Sequence, residues 1–365
     1  MKIIIVGAGP VGCYTARLLK GKRSDIEITL IEEHPEIGKP VHCAGLVSKE
    51  VLSEIKIPLS KDVVLNRIDG AEIFLNGNSF KIRRKHVAVV IDRQKFDSEL
   101  GKGLNISFNT RFIGIEKEGS GYLVETEEGE FYADIVIGSD GANSTLRNIA
   151  GFQEDIKYLR GVQFRMKYSK CERNFVQVYL KNQFFAWIIP EVDDIVRVGI
   201  ISNNPYHDLL EFVKDREETP EILEKFAGIV PLGSCVTQNG NIFLVGDAAC
   251  QIKPLTYGGI YYGMRCAEIL VDCIASDAPA EYERRWKQNF FAEIDAGLKM
   301  RKIYECLSPD NVEKIFALLR KNASFLEKFG DFENHSKTIS LLFKSSYLPR
   351  FLGKILLGIA RDAHI

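Results

Sequence analysis

The first 33 residues constrain the fold more than any other part of the chain. A run of β-branched residues at 3–6 ends abruptly at Gly7, and Gly9 and Gly12 follow. The next segment has the apolar spacing of a helix, and a second apolar strand then leads to Glu32. A strand, a glycine-rich turn, a helix and a second strand within about 32 residues predict a dinucleotide-binding βαβ unit.

Each glycine has a distinct role in such a unit. Gly7 permits the tight turn, Gly9 lets the backbone approach a pyrophosphate, and Gly12 lets the helix pack closely on the strand. The helix N-terminus presents free N–H groups and the positive end of its dipole to the phosphates. Glu32 ends the second strand, where an acid accepts hydrogen bonds from ribose hydroxyls and disfavours a 2′-phosphate. The sequence therefore predicts FAD or NAD rather than NADP.

The composition is that of a globular protein. The chain has 365 residues, a net charge of −1 and 45% hydrophobic residues, which fits several domains and does not suggest disorder or nucleic-acid binding. Its eight cysteines are scattered without a Cys-x-x-Cys pair, which argues against zinc and disulfides and for a reducing compartment. The start has no signal-peptide layout, and no stretch reaches the roughly 18 apolar residues of a membrane span. We expect a cytoplasmic protein without a bound metal.

Strand and helix patterns alternate along the rest of the chain. Residues 67–90 alternate apolar and polar side chains around Asn76-Gly77, which is typical of a β-hairpin. Other strand patterns lie at residues 106–137, 161–201 and 241–245, and the first two are predicted to be antiparallel. Helical patterns lie at residues 49–55, from 91 onward, at 208–226 and 258–273, and from 281 onward.

These patterns predict an α/β fold with a discontinuous nucleotide-binding domain. That domain is expected to consist of residues 1–66, 91–157 and 235–280. A mixed or antiparallel sheet domain, inserted twice, is expected from residues 67–90 and 158–234. Residues 281–365 are expected to form a C-terminal helical region.

Two further glycine turns follow apolar strands. One contains Asp140 and Gly141, and the other contains Gly246 and Asp247. A sugar-like polyol needs an acceptor beside a close backbone approach, and Asp247 with Gly246 supplies both. Each turn alone is also consistent with an ordinary left-handed turn and a helix-capping acid.

Together these motifs resemble those of flavoproteins of the p-hydroxybenzoate hydroxylase type. That signature has an early Gly-x-Gly-x-x-Gly, an Arg-x-x-Phe-Asp, a mid-chain Asp-Gly and a late Gly-Asp. In this chain it corresponds to residues 7–12, 93–97, 140–141 and 246–247. The resemblance implies a Rossmann-like FAD-binding domain with an inserted antiparallel-sheet substrate domain and a C-terminal helical region.

The resemblance also implies which residues hold FAD. Glu32 would bind the adenosine ribose, Arg93 would lie near the ribityl-phosphate side, and Asp247 would bind the ribityl chain. Gly258 and Gly259 would leave room for the isoalloxazine ring. The full expected set is Gly7, Gly9, Pro10, Val11, Gly12, Glu32, Glu33, Ala44, Arg93, Asp140, Gly141, Gly246, Asp247, Gly258, Gly259 and Ile260. We find no second Gly-x-Gly-x-x-Gly and predict an external electron donor of unknown identity.

Two further motifs resemble the geranylgeranyl reductase family. Residues 185–190, Phe-Ala-Trp-Ile-Ile-Pro, followed after eight residues by Gly199, are similar to its Tyr-x-Trp-x-Phe-Pro-x8-Gly-x-Gly pattern. Phe185 replaces Tyr, Ile189 replaces Phe and Ile201 replaces the last Gly. The segment around Cys43 is similar to the family's cysteine loop, although that family more often has Gly directly after Cys. The resemblance implies an FAD-dependent oxidoreductase acting on CH–CH bonds.

This resemblance is chemically consistent with the residues. A C=C bond in a polyprenyl chain carries no charge, so its binding requires apolar and aromatic walls. We predict such a wall from Phe184, Phe185, Trp187, Ile189 and Pro190. An alternating core strand is the other interpretation, and both hold if alternate residues face opposite sides.

Cys43 is the predicted catalytic residue. Reduction of a double bond needs a proton as well as a hydride, and a thiol is mostly protonated at neutral pH. An isolated cysteine is otherwise a small buried apolar residue.

Other functions fit the same fold. One is a flavin-dependent monooxygenase or halogenase, because halogenases have a similar Trp-x-Trp-x-Ile-Pro motif. Another is a non-catalytic prenyl-binding protein, which would hold no flavin.

The apolar segment 341–360 contains interspersed cations, which predicts either packing against the protein or peripheral membrane contact.

Overall fold

Two large β-sheets organise the part of the chain that the structure describes. The computed structural model describes residues 1–181 and 184–344. The strands are β1 (Lys2–Val6), β2 (Glu27–Ile31), β3 (Leu46–Ser48), β4 (Val64–Leu75), β5 (Asn78–Ile91), β6 (Ile106–Ser107), β7 (Phe112–Glu118), β8 (Gly121–Thr126), β9 (Gly129–Ala133), β10 (Ile135–Gly138), β11 (Glu154–Lys167), β12 (Phe175–Lys181), β13 (Phe184–Pro190), β14 (Ile195–Ile201), β15 (Ile222–Cys235), β16 (Gln238–Asn239) and β17 (Ile242–Leu244). The helices are α1 (Pro10–Lys22), α2 (Lys49–Glu54), α3 (Arg93–Gly101), α4 (Thr145–Ile149), α5 (Pro205–Lys214), α6 (Ile260–Ala275), α7 (Tyr282–Trp286), α8 (Ala292–Cys306), α9 (Pro309–Lys321), α10 (Ala323–Phe329) and α11 (His335–Lys344).

The first sheet is mostly parallel and has the strand order β16-β17-β10-β1-β2-β6. Strand β1 lies between β2 and β10 and is parallel to both. Its residues Ile3 and Ile5 pack in one core with α1 and α6, while Ile4 and Val6 pack in a second core that includes part of the β7–β9 sheet. Burial on both faces explains the continuous apolar run of β1. The predicted βαβ unit is therefore confirmed as β1, α1 and β2.

The second sheet has eight strands in the order β15-β11-β14-β13-β12-β4-β5-β3. Neighbouring strands are antiparallel except β12 and β4, which are parallel. The predicted hairpin is formed by β4 and β5, and Asn76 and Gly77 in its turn have φ values of 47° and 78°. Positive φ at both central turn residues is the geometry that an Asn-Gly pair favours. The mixed α/β architecture confirms the expected fold class.

Two local predictions were wrong. The helix predicted for residues 208–226 ends at Lys214, and strand β15 begins at Ile222. Strand β15 pairs with β11 over nearly its whole length, so tertiary pairing outweighs the helix-favouring Glu and Lys residues. The strands predicted as antiparallel at residues 106–137 include β6 and β10, which are parallel members of the first sheet.

The C-terminal helices pack on the hairpin end of the second sheet. Phe316 of α9 meets Phe80 of β5 edge to face, with ring centroids 5.1 Å apart.

The second sheet extends beyond its predicted ranges, because strand β3 belongs to it and β11 begins at Glu154. The domain boundaries stay a prediction. Within residues 1–181 and 184–344, no helix is both long and apolar enough to cross a bilayer. Residues 345–360 of the apolar segment with interspersed cations lie outside the described residues.

Candidate active site

The first glycine turn is closed tightly against the end of β10. Gly7 has a φ of 95°, and a Cβ atom there would overlap the backbone of Ser139. A Cβ atom at Gly12 would overlap the carbonyl oxygen of Gly7. The Ser139 hydroxyl lies 2.8 Å from the Gly7 carbonyl oxygen and donates to the backbone of this turn. Only glycine fits at these two positions.

The N-terminus of α1 is available to an anion. Pro10 is its first residue, Gly9 is its N-cap, and no side chain caps the helix. A Cβ atom at Gly9 would meet nothing within 4 Å, so this backbone faces open space. Uncapped N–H groups at a helix N-terminus form a ready phosphate site.

Glu32 closes the other side of the turn. Its Oε2 accepts a hydrogen bond from the Ala8 N–H at 2.8 Å, and its Oε1 lies 2.7 Å from His34 Nδ1. Glu33 is directed away, toward the exposed Arg111 at 3.8 Å. Glu32 thus lies beside the glycine turn, whereas Glu33 lies at the surface. Their roles in binding FAD stay predictions.

Asp140 already has partners within its own turn. Its Oδ1 accepts from the Ser144 hydroxyl at 2.6 Å, and its Oδ2 accepts from the Leu146 N–H at 3.0 Å. Burial raises the pKa of Asp140, and these hydrogen bonds oppose that shift. Asp140 therefore caps the start of α4, and its neighbour Gly141, with a φ of 75°, completes the turn.

The third glycine turn joins Asp247 to the start of α6. A Cβ atom at Gly259 would overlap the Asp247 carboxylate, and a Cβ atom at Gly246 would press on Val11 of α1. Among residues 1–181 and 184–344, no group donates a hydrogen bond to the Asp247 carboxylate. Burial raises the pKa of Asp247, and the cation of Arg93 opposes this shift. Asp247 is thus a partly buried acceptor without a protein donor in the described structure.

Arg93 interacts with Cys43 of the cysteine loop and acts electrostatically on Asp247 of the third turn. Its Nη2 donates to Asp97 Oδ2 at 2.7 Å and its Nε donates to Oδ1 at 3.1 Å. Burial alone would lower the pKa of Arg93, but the Asp97 carboxylate and the Cys43 sulfur raise it, so the guanidinium stays charged. Arg93 therefore acts electrostatically on both the Cys43 sulfur and the Asp247 carboxylate, and a shared site of the three residues stays a prediction.

The tryptophan strand β13 has a physical reason for its spacing to Gly199. Trp187 pairs directly with Gly199 on β14, and a Cβ atom at Gly199 would overlap the indole ring. Phe185 pairs with Ile201, so two of the departures from the family pattern are cross-strand neighbours. The Trp187 Nε1–H donates to Gln163 Oε1 at 3.0 Å.

The aromatic wall meets the loop that precedes α6. The rings of Phe185 and Tyr257 lie edge to face with centroids 5.5 Å apart, and Phe185 lies 5.9 Å from Trp187. Ile189 is 3% exposed and packs in the core of the sheet, and Pro190 is buried at the end of β13. The side chain of Phe184 lies outside the described residues.

Several residues of this region were missed by the sequence analysis. Lys253 binds Glu333 with an Nζ–Oε2 distance of 3.0 Å, and both side chains are 5% exposed. Arg197 of β14 donates to the Ala44 carbonyl oxygen at 2.8 Å. A charged residue inside an apolar segment was the available signal, but its partner could not be inferred from one sequence.

One cluster of possible metal ligands occurs in the described chain. His207, Asp208 and Glu211 lie on α5 within ligand distance of one another. All three side chains are partly or fully exposed, and exposed acidic groups are common without a metal. We assign no site there.

Comparison with known proteins identifies the family. A sequence profile described as NAD(P)-binding Rossmann-like domain matches residues 5–48. An uncharacterized protein of Methanocaldococcus jannaschii is 33% identical over 94% of this chain and 95% of that protein. A digeranylgeranylglycerophospholipid reductase of the same organism is 29% identical over 86% of this chain and 89% of that protein. The chain belongs to the geranylgeranyl reductase family of FAD-dependent oxidoreductases.

A solved structure supports the fold of this reductase. A geranylgeranyl bacteriochlorophyll reductase-like protein from Thermoplasma acidophilum has a TM-score of 0.81 and 22% identity, and the match covers 94% of this chain and 98% of that chain. At that identity the likeness concerns the fold.

FAD is the cofactor of the reductase, and the residues present fit it. The uncapped N-terminus of α1 can receive the phosphates, and the Asp247 carboxylate can receive hydroxyls of the ribityl chain. Helix α6 also starts without a side-chain cap, at Gly259. Its free N–H groups suit the polar edge of a flavin ring.

Proposed function

We propose that this reductase saturates C=C bonds of geranylgeranyl chains, in the biosynthesis of isoprenoid ether lipids. The observation that carries the proposal is the contact between the aromatic strand and the loop of the third glycine turn. Phe185 and Trp187 lie on the sheet side of this contact, and Tyr257, next to Gly258, lies on the loop side. The relative named digeranylgeranylglycerophospholipid reductase supports the same substrate class.

An apolar row of the second sheet runs from the aromatic wall to the C-terminal helices. Leu75, Leu180 and Phe185 pair across β4, β12 and β13, so their side chains share one face. Leu75 is buried and packs with Phe316 of α9, so that end of the row belongs to the core, whereas Phe185 at the other end is only half-buried. An uncharged prenyl chain is recognised by such apolar surface.

The chemistry requires a hydride and a proton for the two carbons of the double bond. FAD in its reduced form supplies the hydride when it is bound. Cys43 donates the proton from its thiol to the second carbon, which leaves a thiolate. The Arg93 guanidinium interacts with the Cys43 sulfur, which places a cation beside the proton donor.

The experiment is an anaerobic assay with dithionite-reduced protein and a digeranylgeranyl phospholipid, followed by mass spectrometry of the lipid. We expect a gain of two hydrogens per reduced double bond. We expect Cys43→Ala to keep FAD and to lose about 10²- to 10⁴-fold in rate, as removal of a proton-transfer group does. An unchanged lipid with FAD-loaded wild type would refute the substrate assignment, and full activity of Cys43→Ala would remove Cys43 from the mechanism.

The same assay separates the rival functions. A monooxygenase or halogenase consumes oxygen in the presence of its substrate, whereas the reductase works without it. A non-catalytic prenyl-binding protein would be purified without flavin. Two features argue against a protein without flavin. The uncapped N-terminus of α1 fits the FAD phosphates, and the Asp247 carboxylate has no protein donor in the described structure.

Peripheral membrane contact through the C-terminal region belongs to the same proposal. Its sequence basis is the apolar segment with interspersed cations at residues 341–360. Flotation with anionic liposomes compares the full chain with a chain cut after Lys344. We expect recovery of the full chain only, and equal recovery of both would contradict the contact.

A further inference from the structure

Cys43 lies on a loop that is bonded to the second sheet on both sides of the cysteine. The His42 Nδ1 lies 2.6 Å from the Ala227 carbonyl oxygen on β15. The Arg197 Nη1 donates to the Ala44 carbonyl oxygen at 2.8 Å from β14. Cys43 is therefore flanked by two hydrogen bonds to the second sheet, one at the His42 ring and one at the Ala44 carbonyl oxygen.

Arg197 is fixed in orientation by a buried carboxylate. Its side chain is 7% exposed and that of Glu191 is 4% exposed, with Arg197 Nε 3.3 Å from Glu191 Oε2. A planar guanidinium with one edge on a carboxylate has its remaining N–H groups directed to fixed positions. One of those N–H groups reaches the Ala44 carbonyl oxygen. Because a buried charge pair costs desolvation, it is weak evidence for stability and better evidence for a defined geometry.

Gly45 completes the arrangement. Its φ is 68°, and a Cβ atom there would overlap the Arg197 guanidinium and the Ile91 carbonyl oxygen. The Gly45 N–H donates to Cys43 Sγ at 3.3 Å. Arg197 therefore fills the space that Gly45 leaves, and the loop cannot shift toward β14 without meeting it.

We propose that Arg197, oriented by Glu191, is a positioning residue that holds the Cys43 thiol at the Arg93 side of the site. This proposal rests on the proposed role of Cys43. Arg197 touches the loop backbone and acts through it. Arg165 offers a matched control, because its Nε donates to the same Glu191 at 2.9 Å but it has no bond to the cysteine loop.

The test uses the full FAD-loaded protein and two readouts. The first is the rate of Cys43 alkylation by iodoacetamide as a function of pH, with Cys43→Ala as the blank for other cysteines. The second is the split between kcat and KM for the geranylgeranyl lipid. A displacement of about 1 Å at a reacting group can cost about 10²-fold in rate.

We expect Arg197→Gln to lower kcat by about 10- to 100-fold with an unchanged KM. We expect the pH dependence of the Cys43 alkylation rate to change in the same variant. Arg197→Lys should recover part of both readouts, and Arg165→Gln should match the wild type. A double variant, Glu191→Gln with Arg197→Gln, removes both buried charges and leaves Arg165 paired with Glu224, so it serves if Arg197→Gln does not fold.

Wild-type kcat and a wild-type alkylation profile in the folded, FAD-loaded Arg197 or double variant would overturn the proposal. An equal loss in Arg165→Gln would also overturn it, because the effect would then reflect general disruption of the charge cluster. The alkylation readout needs no lipid. If the wild type reduces no geranylgeranyl lipid, the proposed function fails while alkylation still decides the positioning role.

Discussion

Lys253 and Glu333 form a buried ion pair that joins the loop of the third glycine turn to the C-terminal helical region. The Lys253 N–H donates to the Gly258 carbonyl oxygen at 3.0 Å, and its Nζ donates to the Phe332 carbonyl oxygen at 3.0 Å. The Tyr262 hydroxyl of α6 donates to the Glu333 carbonyl oxygen at 2.6 Å. The segment around Glu333 thus supports the start of α6, where FAD is expected.

Breaking this pair should be costly. We expect Lys253→Met and Glu333→Gln each to lower the free energy of unfolding by about 3–5 kcal/mol, because each leaves an unpaired buried charge. The Lys253→Met/Glu333→Gln double variant should lower the free energy of unfolding by less than the sum of the two single losses. Urea unfolding of the FAD-loaded protein measures this. The exposed pair of Lys299 and Asp295 is the control, and Lys299→Met should cost at most about 1 kcal/mol. Equal costs at the two sites would contradict the buried pair.

His335 predicts a pH dependence of stability. Burial and the nearby Lys253 lower its pKa from 6.5 to about 4, and Asp331 opposes this shift. The unfolded chain takes up the proton near pH 6.5 and the folded chain only near pH 4. The stability that the neutral His335 side chain contributes is therefore complete above pH 6.5 and is lost progressively as the pH falls toward 4.

The loss should be about 2–3 kcal/mol over that window. It is measured as the difference in unfolding free energy between wild type and His335→Gln, titrated from pH 7 to pH 4. This difference removes the contributions of the carboxylates that both proteins share. A constant difference over the whole range would contradict the lowered pKa of His335.

Gly12 should be required for FAD binding. Gly12→Ala introduces a Cβ atom that overlaps the Gly7 carbonyl oxygen, so the turn must open and FAD affinity should fall at least about tenfold. Gly21 lies in the same helix, and a Cβ atom there meets nothing within 4 Å. Gly21→Ala should therefore bind FAD normally and add about 0.5–1 kcal/mol of stability. Flavin fluorescence titration compares them, and equal affinities would refute the tight turn.

Trp187 should contribute to lipid binding through its apolar surface. Trp187→Ala removes the ring that lies on Gly199 and should raise KM for the lipid roughly 10- to 100-fold, from about 1.5–3 kcal/mol of lost burial. Trp187→Phe keeps an aromatic ring and loses the bond to Gln163, so its KM should stay closer to the wild type. A larger effect in the Phe variant than in the Ala variant would contradict an apolar role.

The parts of the site that follow from local sequence were predictable. The tight turn at Gly7 follows from its backbone conformation, and the close approach at Gly12 follows from the lack of space for a side chain. The pairing of Arg93 with Asp97 follows from i, i+4 helix spacing. Residues separated by long stretches of chain were not predictable. Lys253 with Glu333, and Arg197 with Ala44, meet only because the sheets pack, and one sequence does not specify such pairs.

The strand β15 shows the same limit for secondary structure. Its segment contains Glu224 and Lys225 with helix-favouring neighbours, which predicted a helix. Pairing with β11 decides its conformation, and the Ala227 carbonyl oxygen in this strand lies 2.6 Å from His42 Nδ1.

The most direct test of the account is anaerobic stopped-flow reoxidation of the reduced flavin by a digeranylgeranyl phospholipid. The wild type should regain the absorbance of oxidised flavin only after the lipid is added, at a rate that saturates with lipid concentration. Cys43→Ala, with its full FAD content, should do so about 10²- to 10⁴-fold more slowly. A wild-type flavin that stays reduced in the presence of the lipid would contradict the proposed function, and equal rates in the two proteins would contradict proton donation by Cys43.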